Sequence, residues 1–506
     1  LHLSATAAHL AGHDRLHRRT PMTVPDSRVR ALNTHTARAD GAYVLYWMVA
    51  NRRAGWNASL QRAVAHANRL GVPLVVLEAL RTAYPWASDR LHAFVLEGMA
   101  DNRAAFDRPG VRYLPYLESE HGAGSGLLET LASQASVVVT DDYPAFFLRR
   151  MVPTVGARLP VLAEAVDGNG LYPMRATDRV FARAFDFRRH LQRELPAHLA
   201  WFPHAVPLDA LTVREAPRLP DLQRWPLLTR DQLDRPRDLL APLPIDHTVR
   251  AVTLRGGSAA ANERMTRFVG HLLDRYATER NQPEADVASG LSPYLHFGHI
   301  SAHEIASAVM RREDWTLDRL SGRVNGARNG WWGLSDAAES FLDELVTWRE
   351  VGFNACTHLD DPDHWESLPQ WARDTLDAHA SDPRPWRYDL DDLLRARTHD
   401  PLWNAAQNQL REHGVIHNYL RMLWGKKILE WSPTPRLALD VMIELNNRLA
   451  LDGRDPNSTS GIMWVLGRYD RAWGPERPIF GTIRYMSSEN TARKVRVGTY
   501  IRTYGG

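Results

Sequence analysis

From Gly41 the chain alternates short, near-continuous apolar runs with amphipathic stretches. YVLYWMV (43–49), VPLVVLEAL (72–80), VRYLPY (111–116), SVVVTD (136–141) and PVLAEAV (160–166) read as strands. Between them SLQRAVAHANRL and SDRLHAFVLEGMADNRAAF carry apolar residues at helical spacing. Strands that are apolar throughout, and separated by helices, predict a parallel doubly wound sheet covered on both faces. Ligands of such sheets bind at the carboxyl ends of the strands. No GxGxxG follows the first strand, and HGAGSG (121–126) stands in the wrong context, so it reads as a flexible loop and a nicotinamide dinucleotide is not supported.

Residues 171–250 are punctuated by proline and weakly periodic, which predicts a long connection with a few helices. From about 251 the pattern is helical to residue 506, with amphipathic RMTRFVGHLLDRYATERN and, at Ser301 and Glu304, a capping box. The fold class expected is therefore an α/β domain over 36–170, Rossmann-like, followed by an all-helical domain. Residues 1–35 are rich in His and Arg without an apolar signal core, and are placed outside the fold, with 1–21 read as upstream sequence.

Composition changes this picture little. The chain has 506 residues, enough for two domains, and a formal charge of +3 with a pI near 9.0, a mild pointer to a polyanionic partner. A single cysteine, Cys356, excludes an internal disulfide and any cysteine-built zinc site, and fits a reducing compartment. No apolar run approaches the roughly 18 residues of a membrane span. The 17 tryptophans are many for this length and call for either core packing or a use.

Four stretches carry candidate chemistry. In RNQPEADVASGLSPYLHFGHIS (280–301), Ser289 and Ser292 flank Gly290 ahead of a helix start, a workable anion site. In SFLDELVTWREVGFN (340–354), Glu344 and Trp348 share a helical face, either as an ion-pair helix with a core indole or as a carboxylate beside an aromatic plate. In DPLWNAAQNQLREHGVIHNYLRMLWGKKILEW, Trp424 and Trp431 are two turns apart, about 10 Å along one face, with Trp403 on the preceding helix. Plain core explains any one of them; three suggest a route for electrons. The tail RYMSSENTARKVRVGTYIRTY interleaves Arg484, Arg493, Lys494 and Arg496 with Tyr485 and Tyr500, either a solvated basic face or a phosphate-contacting strip with stacking partners.

GLSPYLHFGHIS, DPLWNAAQ, LRMLWGKKILEW, LNNRLALDGRDPN, ERPIFGTIRYM and the early YWM together resemble the class II cyclobutane pyrimidine dimer photolyases of the photolyase/cryptochrome superfamily. The similarity runs from about residue 36 to 502 and is dense over 280–486. It implies bound FAD, with Tyr276, Ser289, Leu291 and Ser292 on its phosphates and ribityl chain, Arg421 and Asp452 paired beside the ring system, and Asn446 facing N5. It further implies a photoreduction relay from Trp424 through Trp403 to Trp431 at the solvent side. Glu344 would hydrogen-bond the lesion, Trp348 and Trp464 clamp it, and Arg280 line the pocket, while Trp473 and Arg484 enter or flank the gap in the duplex. The expected reaction is light-driven repair of pyrimidine dimers in DNA by a cytoplasmic, nucleoid-associated monomer without a metal. The alternative is a cryptochrome-like blue-light receptor that keeps FAD and the relay. Repair of (6-4) photoproducts needs active-site histidines, and His296 and His303 read as structural. The family's SRDQR after YWM is VANRR here (49–53), and SSENTARKV follows RYM, so the antenna chromophore, a deazaflavin or a folate, and the tail contacts stay open.

Overall fold

The computed structural model describes residues 23–505, so the expectation for residues 1–21 lies outside it. The sheet has six strands, β1 (Val29–Ala31), β2 (Tyr43–Met48), β3 (Leu74–Leu80), β4 (Val111–Leu117), β5 (Ala135–Asp141) and β6 (Ala163–Val166), in the order β1-β6-β5-β2-β3-β4. All neighbours are parallel except β1, which pairs antiparallel with β6 through Val29 and Val166. The five long apolar runs are thus the five parallel strands. Every residue of β2 is buried, because helices cover both faces. The stretch 23–35, expected outside the fold, instead supplies the edge strand β1; its three residues are partly exposed and too short to show a period.

Helix Ala58–Leu70 illustrates the local logic. Asn57 caps it by accepting from the Leu60 amide, and Gly71 ends it at φ +68°. At the carboxyl ends of β2 and β5, where a ligand crevice is expected, Asp141 closes the space. Its carboxylate accepts the amides of Val49, Ala50 and Asn51 at 2.8–3.0 Å and the Tyr46 hydroxyl at 2.9 Å. The void left there is about 10 Å³.

The helical half is organised around two apolar clusters. One gathers Phe268, Tyr276, Leu291, Phe341 and Leu345; the other gathers Trp403, Trp424, Trp431, Met442 and Val465. Arg90, on the helix Asp89–Ala105, ties the sheet domain to this half by donating to the carbonyls of Leu410 and Leu449. Among the described residues, no helix is long and apolar enough to cross a membrane.

Candidate cofactor and nucleic-acid site

Between the two apolar clusters lies a cavity of about 630 Å³, within the usual range for small-molecule sites. Its walls come mainly from the 258–279 helix with Arg280, the 286–295 loop, the 336–358 helix, and the segment from Gln409 to Val465.

Ser289, Gly290, Leu291 and Ser292 line one end. Gly290 has φ +65°, and a Cβ there would sit 2.7 Å from Nε of Arg264. Arg264, itself on the cavity lining, straps the loop by donating to the carbonyls of Ser289 (2.6 Å) and Ala288 (2.7 Å). The loop thus presents two hydroxyls backed by a guanidinium, a donor set that suits phosphate oxygens.

Arg421 and Asp452 meet at 2.8 Å on the cavity wall, with side chains 18% and 11% exposed. Asn446 is buried and donates to the Ser458 hydroxyl at 2.8 Å, which fixes its amide toward the cavity lining.

The 336–358 helix changes to a π-type turn over Asp343–Trp348. Such wide turns recur at functional sites, and this one sets Glu344 and Trp348 on the cavity wall. A second π turn, Phe268–Leu272, precedes Tyr276 on the opposing helix. Glu344 is ion-paired with Arg280, whose guanidinium also lies 5.6 Å from the Tyr276 ring centre. Burial raises the Glu344 carboxyl above its ordinary range, and Arg280 opposes the rise. Trp464, from the helix Pro456–Val465, lines the same space. Glu344 thus faces the cavity and not the outer surface, and Trp348 beside it is half-buried and not a core indole.

Trp424 lines the cavity and donates through Nε1 to Gln407 Oε1 at 2.8 Å. Behind it, Trp403 Nε1 donates to the Trp424 carbonyl at 3.1 Å, and the Trp403 and Trp431 rings pack edge-on at 5.4 Å. Trp431, expected at the solvent side, is only 1% exposed. Aromatic contact continues past it to Tyr388 (5.2 Å) and His399 (5.5 Å), and His399 stacks at 4.3 Å on Trp386, which is 52% exposed.

Trp473 and Arg484 stand beyond the cavity wall, joined to it through Trp464. The Arg484 guanidinium lies 5.6 Å from the Trp464 ring and 4.0 Å from Trp473, and Asp470 holds it at 2.8 Å. In the tail, Tyr500 is no stacking partner. It is buried and donates to Gln409, because the helix Gly498–Tyr504 packs against Pro401–His413. His296 pairs with Asp455 and His303 is buried, neither on the cavity, whereas His417 lines it. No group of three or more His, Cys, Asp or Glu side chains is placed to hold a metal among the described residues.

The chain is 34% identical over 477 residues to the deoxyribodipyrimidine photo-lyase of Methanothermobacter thermautotrophicus, covering 94% of this chain and 97% of that protein. It belongs to the deoxyribodipyrimidine photo-lyase family. The photo-lyase of Oryza sativa subsp. japonica is 33% identical over 506 residues, with 94% and 90% covered. No protein-family model matches the chain. A class III photolyase from Agrobacterium tumefaciens superposes with a TM-score of 0.64 at 18% identity, over 93% of this chain and 87% of that one. A Synechocystis cryptochrome superposes at 0.60 and 16%, over 91% and 88%. At those identities the two structures share the photo-lyase fold, an α/β domain joined to a helical one.

In this photo-lyase family member the residues missed by sequence are chiefly supports. Arg264, Gln407, Ser458 and Asp470 each hold a predicted residue or loop in place. Helical spacing could have flagged Gln407, four residues after Trp403; the others depend on contacts that no local pattern encodes.

Proposed function

We propose that the chain repairs cyclobutane pyrimidine dimers in DNA under blue or near-UV light, as a class II member of its family, with reduced FAD held in the 630 Å³ cavity. One observation carries this reading: a carboxyl and two indoles, Glu344, Trp348 and Trp464, share a cavity with the Arg421–Asp452 pair, Asn446 and the Ser289–Ser292 loop.

The residues fit the cofactor. Ser289, Leu291 and Ser292, with Arg264 behind them, would take the phosphates, and Gly290 leaves the backbone free to approach. Tyr276 lies along the same cavity; Arg421 and Asp452 would flank the ring system and Asn446 its polar edge. When bound, reduced FAD supplies the photo-donated electron that splits the dimer, chemistry that belongs to the cofactor.

The chain's own part is position and electrostatics. Photolyases act on extruded nucleotides, and extrusion is cheapest at a damaged site. Trp348 and Trp464 offer flat apolar faces to the two pyrimidine rings, at roughly 1–3 kcal/mol of stacking per base. Glu344, whose carboxyl burial raises and Arg280 opposes, would hydrogen-bond their imide edges, and Arg280 holds that carboxyl in place. Trp424, Trp403 and Trp431 would return the cofactor to its reduced state, with Tyr388 and Trp386 leading to the surface. A second chromophore, a deazaflavin or a folate, has room in an open cleft of about 550 Å³ at the end of β3, where Trp86 stacks at 5.9 Å on Phe146.

The test is illumination of the reduced protein with dimer-containing DNA, beside (6-4)-containing and undamaged DNA. Loss of dimers alone is expected. Unchanged dimers with a light-dependent change in the bound flavin would favour the cryptochrome-like receptor. The absorption spectrum of the purified chain separates flavin from any second chromophore.

A further inference from the structure

The indole of Trp464 is not packed simply against apolar neighbours. The ammonium of Lys426 lies 5.0 Å from the ring centre. The Arg484 guanidinium lies 5.6 Å from the same ring, Trp473 comes next (4.0 Å from Arg484), then Arg471 (4.4 Å from Trp473). Cations and indoles therefore alternate from the buried interior to the exposed Arg471. Lys426 is fully buried, and among the described residues no carboxylate forms an ion pair with it. Its ammonium donates a hydrogen bond, 2.6 Å long, to the carbonyl of Val465, the last residue of the helix that bears Trp464.

A buried ammonium without a carboxylate is costly, and an apolar side chain would fill the same space at less expense. Two contacts of the Lys426 ammonium act on Trp464. One is attraction to the face of its ring, and the other holds an otherwise orphaned carbonyl at the end of its helix. We propose that Lys426 is a positioning residue for lesion binding, which seats Trp464 as the inner plate of the Arg484–Trp473–Arg471 stack. This rests on the reading of Trp464 as a clamp for an extruded dimer.

Burial pulls the ammonium down to about 7, a drop that Asp470 opposes and Arg484 adds to. These two are the charged groups facing it from the neighbouring turn and the tail; Lys427, next on its own helix, turns instead to Glu430 (2.9 Å) and Asp400. The attraction to Trp464 therefore exists below about pH 7 and fades above it.

The experiment compares the flavin-loaded parent with Lys426→Met and Lys426→Gln, each alone and combined with Trp464→Ala. Affinity for dimer-containing and undamaged duplex is measured across neutral pH. Removing one plate's support is expected to weaken dimer binding about ten-fold, the scale of one base stack. It should raise KM for dimer DNA with kcat and flavin content retained, and flatten the fall in affinity through about pH 7. On the Trp464→Ala background neither substitution should cost more. Dimer affinity within two-fold of the parent in both variants, or an undiminished further loss on the Trp464→Ala background, overturns the inference. A parent that does not distinguish dimer DNA overturns the proposed function and this inference together. Should the Met variant fail to fold, Lys426→Gln, which keeps a donor for the Val465 carbonyl, decides.

Discussion

Arg421 and Asp452, 31 residues apart in sequence, meet at 2.8 Å on the wall of the central cavity. The two side chains are less than one-fifth exposed, and each is the other's ion-pair partner. Removing one partner of such a pair leaves an uncompensated charge, at about 3 kcal/mol or more. Asp452→Ala is therefore expected to lower flavin retention by about a hundred-fold in affinity, while the sheet domain keeps its fold. The measurement is the flavin-to-protein absorbance ratio after dialysis; a ratio equal to the parent's would contradict the role.

Trp424 stands between the cavity and Trp403, to which it is linked through its own backbone carbonyl. Trp424→Phe should stop photoreduction of oxidised flavin and leave repair by chemically reduced protein largely intact. Transient absorption gives the first, and a single-turnover flash assay the second. Equal photoreduction in variant and parent would refute the relay.

Gly290 occupies the left-handed region, and its missing Cβ is the space that Arg264 uses. Gly290→Ala adds backbone strain of about 1–2 kcal/mol and pushes Arg264 off the carbonyls of Ala288 and Ser289. The expected result is a weaker flavin complex with an unchanged far-ultraviolet circular dichroism spectrum. Calorimetric titration with FAD is the direct check, and parent-like affinity would argue against the phosphate loop.

Glu350 is buried and accepts the amides of Leu171 (2.7 Å) and Tyr172 (3.0 Å), which joins the 336–358 helix to the end of the sheet domain. Burial raises its carboxyl to about 7, with Arg349 and the two amides opposing. The folded state thus holds a proton that the unfolded chain, at about 4.3, has already lost. Its contribution is complete below about 4.3 and is lost as pH rises through about 7, on the order of a few kcal/mol. Glu350→Gln lacks this term, so the gap in melting temperature between variant and parent should shift in the variant's favour across that window. A constant gap would show that Glu350 does not titrate there.

The five parallel strands were legible because burial on both faces writes itself as unbroken apolar runs, and no neighbour in space is needed to see them. Edge strand β1 was not, since three partly exposed residues acquire their strand character from pairing with β6. The site divides in the same way. Helical spacing set Glu344 with Trp348, and motif resemblance supplied Arg421, Asn446, Asp452 and Trp464 as a group. What only the fold decided is which of them touch. Trp403 inserts between Trp424 and Trp431, and Trp431 ends up buried with Tyr388 and His399 outside it. Lys426 and Lys427 read alike in the sequence, yet among the described residues Lys427 finds two carboxylates where Lys426 meets an indole and a carbonyl. Periodicity records what each residue does within its own helix or strand. Charge pairing, ring contact and exposure depend on segments tens of residues away, and those come together only when the two apolar clusters close around the cavity.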